Sequence, residues 1–201
     1  MDCRLDLTSL EIASDLGAEA GQDTWTGGPI IEGAFAPVVV RAGSHSRKLI
    51  RPMHWGYPAP GQSTELAMPG TMRWVSHVRN LESPFWIGNL RHVELRCLIP
   101  LSSFTLSIGK ARNLHCRIAG RKLFAVAGIW RDLTDMPVFA MLTTEPCLAA
   151  LPVEGRPRPK SMPALLDEVG QDQWLSADWN RAAALIQPYE KADLLIQELA
   201  Q

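Results

Sequence analysis

The stretch FAVAGIW, residues 124–130, decides the fold of this chain. All of its side chains are apolar, except at the glycine, which has none. A short apolar run of this kind is typical of a strand that is buried on both faces, in the middle of a sheet. We therefore expect residues 124–130 to be central and buried.

Strand signals extend on both sides of this stretch. Runs rich in β-branched, aromatic and aliphatic residues predict strands at 35–41, 48–57, 73–80, 92–101, 114–120, 122–130 and 137–146. AGRK at 119–122 predicts a tight hairpin turn between two of them. AGSHSR at 42–47 predicts a turn. The proline-containing stretches 58–71 and 151–163 predict loops, and the second is long enough to suggest a function.

Helix signals lie mostly towards the two ends of the chain. Thr8 and Glu11 form an S/T-x-x-E capping box, and Gly17 is expected to end that helix. SPFWIGNL predicts a short helix with Ser83 as its N-cap. Amphipathic segments predict helices at 164–175, 178–187 and 191–200. Together these elements predict one α+β domain over 1–201, in which helices flank a curved, mostly antiparallel sheet with a barrel-like core.

Composition narrows the class of protein. With 46% hydrophobic and 20% charged residues, the chain is typical of a soluble globular protein. It has no apolar run of membrane-spanning length and no secretory signal, so we expect a cytoplasmic protein with reduced thiols. The four cysteines form no C-x-x-C pair, and the five histidines lack metal-ligand spacing. We therefore expect no metal and no cofactor.

Charge is distributed unevenly along the sequence. Residues 1–40 carry a net charge of -6, residues 41–130 carry +10 and residues 131–201 carry -5. A basic middle between acidic ends suggests a face that binds a polyanion. A basic surface without any ligand is an equally open interpretation of the charge alone.

Six motifs occur in order over about 35–180, namely HWGYPAP, VSHVRNLESPFW, RCLIPLSSFTL, FAVAGIWRD, LTTEP and KSMPALL. Together they resemble the SRAP family (SOS response-associated peptidase). The resemblance implies binding to single-stranded DNA at abasic sites. It also implies an N-terminal cysteine whose thiol and amine close a thiazolidine ring on the opened sugar aldehyde, which is activated-nucleophile chemistry.

The resemblance implies four chemical positions, and all four are changed here. The family's asparagine falls on His77, its glutamate on Leu106 and its histidine on Arg158. The family's cysteine directly follows the initiator methionine, whereas here Asp2 stands in that place and Cys3 comes next. Because removal of the initiator methionine generally requires a small second residue, we expect Cys3 to lack the free amine that a thiazolidine needs. Cys3 is therefore a weak candidate nucleophile.

The three other substitutions remove proton transfer but keep or add positive charge. Leu106 has no group that can act as an acid or base. Arg158 stays protonated at neutral pH but can bind phosphate through two hydrogen bonds. His77 can still donate or accept a hydrogen bond and so orient a ligand. His77 could also be a hydrogen-bonded strand residue without any ligand.

The predicted DNA-binding residues come from several of these motifs. We expect Arg51, Arg79, Arg158 and Lys160 to contact phosphates, Trp55 to stack on a base, and Asn80 and Thr144 to hydrogen-bond the backbone or sugar. Arg79, Trp55 and Arg158 are expected to lie close together on one basic face.

The favoured function is non-covalent binding of single-stranded or abasic-site DNA in a DNA-damage context, by a monomer. One alternative is an enzyme that crosslinks to abasic DNA, or acts as a peptidase, through Cys3. The other is a protein-interaction module whose groove binds a peptide, with an unidentified protein partner.

Overall fold

The computed structural model describes residues 1–42, 47–61, 72–109, 112–134, 136–151 and 158–200. The strands are β1 (Asp2–Leu5), β2 (Ala18–Glu19), β3 (Gly28–Ile30), β4 (Phe35–Ala42), β5 (Arg47–Trp55), β6 (Tyr57–Pro58), β7 (Trp74–Val75), β8 (His77–Val78), β9 (Arg96–Leu101), β10 (Ser103–Ile108), β11 (Arg112–Ile118), β12 (Phe124–Leu133), β13 (Met136–Thr144), β14 (Met162–Pro163), β15 (Leu165–Leu166) and β16 (Leu194–Ala200). The helices are α1 (Ser9–Leu16), α2 (Ile87–Arg91), α3 (Glu168–Trp174) and α4 (Trp179–Ala183), with short 3₁₀ turns at Val93–Leu95 and Leu148–Ala150.

A closed five-stranded barrel forms the centre of the fold. Strands β13, β12, β9, β4 and β5 are neighbours in that order, and β5 pairs back with β13 to close the ring. The closing pair is parallel, whereas the other four pairings of the ring are antiparallel. The expected α+β class, mostly antiparallel with a barrel-like core and flanking helices, is confirmed.

FAVAGIW occupies β12, which lies between β9 and β13 in the barrel. Residues 124–129 are buried and Trp130 is half-buried, so the predicted central position is confirmed. The glycine of this run, Gly128, lies too close to the neighbouring strand to carry a side chain. A Cβ atom there would lie 2.8 Å from both Cys97 Sγ and Ile99 Cδ1 on the neighbouring strand β9. The barrel interior therefore has no room for a side chain at this position.

A second sheet has the strand order β16-β11-β10-β1-β3. Its strand β1 was not predicted, because it is only four residues long. Within it, Asp2 and Arg4 are exposed, whereas Cys3 and Leu5 are buried. Pairing with both β3 and β10 makes this short segment a central strand. The N-terminal segment is therefore integral to the fold.

Two secondary-structure predictions were wrong because they depended on long-range pairing. Residues 191–200 were expected to be helical, but most of them form strand β16, which pairs with β11 through contacts such as Cys116↔Ile196. Residues 119–122 do not close a hairpin. Strands β11 and β12 belong to different sheets, and this segment carries the chain from one sheet to the other. A local pattern does not specify which strand a segment will pair with.

The capping prediction for α1 is confirmed. Thr8 and Glu11 form a reciprocal capping box, and Gly17 ends the helix in the left-handed conformation with φ of 60°. The second helix begins later than predicted, at Ile87, because the Ser83 hydroxyl accepts a hydrogen bond from the Phe85 amide in a preceding turn. Helices α3 and α4 fall within the expected segments and are capped by Asp167 and Asp178.

The remaining strand predictions hold in outline. The predicted strand 48–57 is divided into β5 and β6, and 73–80 contains only the short strands β7 and β8. The predicted turn and loops extend beyond the described residues at 43–46, 62–71 and 152–157.

Arg96 ties the helices to the barrel. Its side chain is 1% exposed and donates hydrogen bonds to the carbonyls of Leu90, Trp174 and Ala177. The guanidinium also lies 5.3 Å from the ring centroid of Trp174 and 5.7 Å from that of Trp179. Arg96 therefore stabilises the fold, because its guanidinium satisfies backbone carbonyls from separate segments of the chain.

Candidate functional site

A cavity of about 490 Å³ brings together three of the four positions carried over from the family resemblance. Among the described residues it is lined by Met1, His77, Leu106, Ser107, Gly109, Arg158, Pro159, Lys160 and Ser161. These residues are far apart in sequence, and pairing of strands brings His77 close to the segment that contains Lys160 and Ser161. Strand β13 pairs with β8, which carries His77, and with β14, which follows Lys160 and Ser161.

His77 is half-buried at one wall of this cavity. Its Nδ1 atom lies 2.9 Å from Ser76 Oγ and 3.4 Å from Glu32 Oε1. Burial lowers the pKa of His77 below its ordinary value of 6.5, although the Glu32 carboxylate opposes this shift. Its Nε2 atom is buried without a hydrogen-bond partner in the described chain. The ring is therefore a neutral imidazole at neutral pH.

Cys3 lies beside the cavity but points into the protein. Its side chain is 3% exposed, and β1 pairs it with Phe104 on β10 and Ile30 on β3. Burial raises the pKa of the Cys3 thiol to about 12, and the carboxylates of Asp2 and Glu32 act in the same direction. Since the thiolate is the nucleophilic form, this cysteine is inert in the arrangement observed.

The other two carried-over positions give the cavity an apolar floor and a cationic rim. Leu106 is 2% exposed and lies opposite Leu114 in the pairing of β10 with β11. Arg158 and Lys160 are exposed and form no ion pair with a carboxylate in the described ranges. Both cations are thus free to meet an anionic ligand.

Trp55 requires a correction. Its ring is 1% exposed, stacks parallel to Phe139 with centroids 6.0 Å apart, and meets the His77 ring edge-on at 5.5 Å. Its Nε1 atom donates a hydrogen bond to the Ser76 carbonyl at 3.1 Å. Trp55 therefore supports His77 from inside the core, and its ring is not available to stack on a base.

Arg51 and Arg79 are not placed as expected either. Arg51 forms an ion pair with Asp132 at 3.1 Å and lies over the Trp130 ring, and Arg79 forms an ion pair with Glu145. Neither is among the residues that line the cavity. The expected basic face cannot include the ring of Trp55, which is internal, whereas a shared face of Arg79 and Arg158 stays a prediction.

The charge asymmetry of the sequence is partly offset in the same way, because six of the thirteen basic residues in 41–130 form such pairs. Basic residues of the middle segment pair with acidic residues from the two ends in Arg47–Glu19, Lys48–Asp172, Arg112–Glu198 and Arg121–Glu168, as well as in the pairs of Arg51 and Arg79. A segment with a net charge of +10 thus does not become a face with that charge.

Asn80 and Thr144 have local structural contacts. The Asn80 side-chain oxygen accepts a hydrogen bond from the Glu82 amide at 3.0 Å, which stabilises a turn. The buried Thr144 hydroxyl donates to the Glu145 carbonyl at 2.9 Å. Neither side chain lines the cavity.

Other residues around this region were missed by the sequence interpretation. Ser107 and Ser161 line the cavity, and Glu32 contacts His77. Two aromatic side chains with solvent-accessible surface, Phe35 and Trp74, both pack on the His54 ring. Alternation along RWVSHVRN could have indicated Trp74, whereas the two serines carry no local signal.

The described ranges contain neither a cluster of metal ligands nor a membrane-spanning helix. No three His, Cys, Asp or Glu side chains there are grouped so that they could hold a metal ion. None of the helices in those ranges is long and apolar enough to cross a membrane.

The fold as a whole is similar to that of several solved structures. The chain has a TM-score of 0.76 with a protein from Bordetella bronchiseptica, at 16% identity and covering 100% of this chain and 99% of that one. A protein from Bacteroides thetaiotaomicron gives 0.72 at 16% identity, covering 98% and 91%. A phage-related protein from Bordetella bronchiseptica gives 0.69 at 13% identity, covering 100% and 94%. No curated protein matches the chain significantly.

The family model described as "SOS response associated peptidase (SRAP)" matches residues 10–201. The chain therefore belongs to the SRAP family, as the six motifs indicated. The family's description connects it with the SOS response to DNA damage. Within that family, this chain has His77, Leu106 and Arg158 around its cavity and a buried Cys3 beside it.

Proposed function

We propose that this protein binds single-stranded or abasic-site DNA in its cavity without forming a covalent crosslink. The observation that carries the proposal is the pair of exposed cations Arg158 and Lys160, which have no carboxylate partner among the described residues and line a cavity that also contains neutral His77. Cations without carboxylate partners attract phosphates, and release of counterions from the nucleic acid favours binding. Membership of the SRAP family supports a role in the response to DNA damage.

Non-covalent binding follows from the state of the reactive groups. The Cys3 thiol is buried and protonated, so it cannot attack an aldehyde from its observed position. Leu106 supplies no acid or base to assist such an attack. Arg158 binds anions but does not release its proton near neutral pH. The site keeps cations that bind an anion, and among its described lining side chains His77 is the one that can still exchange a proton near neutral pH.

Base stacking is assigned to surface aromatic residues instead of Trp55. Phe35 is 52% exposed, and Trp74 is half-buried on β7, three residues before His77. Aromatic side chains beside a cationic groove are the common means by which proteins hold single strands with little sequence preference. These two rings extend the proposed interface beyond the cavity.

The test combines a denaturing gel with a salt titration. The protein is incubated with an oligonucleotide that contains an abasic site, and half of each sample is denatured. We expect no shifted band in denaturant, together with salt-sensitive binding in native solution. On a single strand, log K should fall by roughly 0.7 per log unit of salt for each phosphate neutralised.

Matched variants locate the binding site. Arg158→Ala and Lys160→Ala should each weaken binding and reduce the salt slope by roughly 0.7 if each side chain neutralises one phosphate. Arg181→Ala is the control, because Arg181 is an exposed arginine on α4 and does not line the cavity. Equal losses in all three variants would assign the binding to general surface charge and remove the proposal.

The two alternatives predict different results. A band that survives denaturant and disappears in Cys3→Ala would establish crosslinking through the thiol. The intact mass of the purified protein shows whether Met1 and Asp2 are retained, and their loss would expose the amine of Cys3. The absence of both a crosslink and salt-sensitive binding would end the DNA proposal and favour a peptide-binding module.

A further inference from the structure

The cavity has the chemistry of a site for a whole nucleotide. We propose that it takes one unpaired nucleotide with its base intact, so that the protein prefers base-containing single strands to abasic ones. This inference rests on the proposed DNA binding, and it specifies which of the two kinds of DNA the cavity accepts.

The floor of the cavity is suited to a base. Leu106 presents an alkyl side chain where the family resemblance implies a carboxylate, and Pro159 and Met1 add further apolar atoms. A nucleobase has a broad apolar face that gains from contact with such a surface. A bare sugar has no comparable face to place against Leu106, Pro159 and Met1. The substitution at position 106 thus favours a ligand with a base.

The rim supplies partners for the remaining parts of a nucleotide. Arg158 and Lys160 flank Pro159 and have no carboxylate partner in the described part of the chain, so their positive charge suits the phosphate. The guanidinium of an arginine can also stack on the face of a base. The hydroxyls of Ser107 and Ser161 line the same cavity and can donate or accept hydrogen bonds at the polar edge of a base.

The size of the cavity agrees with this assignment. Its volume of about 490 Å³ lies within the range of roughly 300–1,000 Å³ that is usual for sites binding small organic molecules. A sugar without its base leaves much of that volume to water and keeps the apolar floor hydrated. A nucleotide with its base fills more of the space and covers Leu106.

The experiment compares two strands that differ only in their bases. One is oligothymidylate of about eight nucleotides, which is within the site sizes of single-strand binders. The other has the same length and the same phosphates but contains the tetrahydrofuran abasic analogue at every position. The analogue has no aldehyde, so covalent chemistry cannot contribute. We expect oligothymidylate to bind at least about tenfold more tightly, in matched salt and by fluorescence anisotropy.

A cavity-filling variant separates the cavity from the surface aromatics. Ser161→Trp places a large ring at the half-buried rim, and Leu106→Gln makes the floor polar with little change in size. Each variant is first checked for cooperative unfolding, so that Ser161→Trp provides the result if the core substitution does not fold. Both should reduce the tenfold preference to about threefold or less, whereas the control Arg181→Ala should keep it.

Each outcome has a definite meaning. Equal affinity of the wild-type protein for the two strands, or tighter binding of the abasic strand, overturns this inference and leaves the proposed DNA binding intact. A preference that persists in both Ser161→Trp and Leu106→Gln also overturns it, because an introduced ring that stacks on a base cannot account for the preference in Leu106→Gln. Failure of the wild-type protein to bind either strand removes the proposed function itself.

Discussion

Cys3 should be one of the least reactive thiols of the native protein, although it occupies the position closest to that of the family's nucleophile. The perturbation is alkylation with iodoacetamide under native conditions near neutral pH. Burial raises the pKa of Cys3 from 9.0 to about 12, so its thiolate fraction near neutral pH falls by roughly a thousandfold relative to an ordinary cysteine. The exposed fraction of its side chain is 3%, which also denies the reagent access.

The assay follows each cysteine separately by peptide mass spectrometry after timed quenching. Native Cys3 should be alkylated roughly a thousandfold more slowly than the same residue in the urea-unfolded protein, unless local opening of β1 sets a faster rate. Cys97 is a suitable internal reference, because it is fully buried in the barrel and burial raises its pKa well above the ordinary value.

Alkylation of native Cys3 at the rate measured in urea would refute this reasoning. That result would show an accessible, ionised thiol at the N-terminal strand. The argument against a covalent mechanism would then depend on Leu106 and Arg158 alone.

Three further predictions concern stability. For His77, burial keeps the folded-state pKa below 6.5, so the unfolded state takes up the proton first as the pH falls below that value. The free energy of unfolding of the wild-type protein should therefore decrease more than that of His77→Gln when the pH is lowered from about 6.5 to 5. Urea titrations at the two pH values measure both decreases, and equal decreases would contradict this prediction. Gly128→Ala should cost about 1–3 kcal/mol by overpacking against Cys97 and Ile99, whereas an unchanged urea midpoint would show that the barrel can expand. Arg96→Met should cost about 3 kcal/mol, because buried carbonyls lose their donors, and a loss below 1 kcal/mol in the same assay would show that they find other partners.

Much of the fold could be predicted from local sequence. The capping box of Thr8 and Glu11 and the stop at Gly17 depend on residues within one or two helical turns, so their signals are complete in the sequence. The burial of 124–129 follows from a run with no polar side chain. Segment 191–200 failed because its pattern of leucine and polar residues fits either a helix or a strand, and its pairing with β11 decided between them.

The features of the candidate site were likewise predictable from the sequence only in part. Motif order alone indicated the positions of His77, Leu106 and Arg158, and the structure brings all three to one cavity. The sequence did not indicate that Arg79 would pair with Glu145, 66 positions away. Nor could it show that Trp55, beside basic residues in the sequence, would lie in the core against Phe139.

The sequence by itself determined the family, the central strand and the replacement of a carboxylate by Leu106 relative to the family resemblance, since these depend on which residue types are present and in what order. The tertiary structure decided which cations remain unpaired, which aromatic rings face solvent, and that the Cys3 thiol is protonated. The physical reason is that charge pairing, exposure and pKa depend on neighbours that strand pairing brings together. Arg158 and Arg79 are the same type of residue in the sequence, and only the structure shows that Glu145 pairs with Arg79, whereas no carboxylate of the described residues pairs with Arg158.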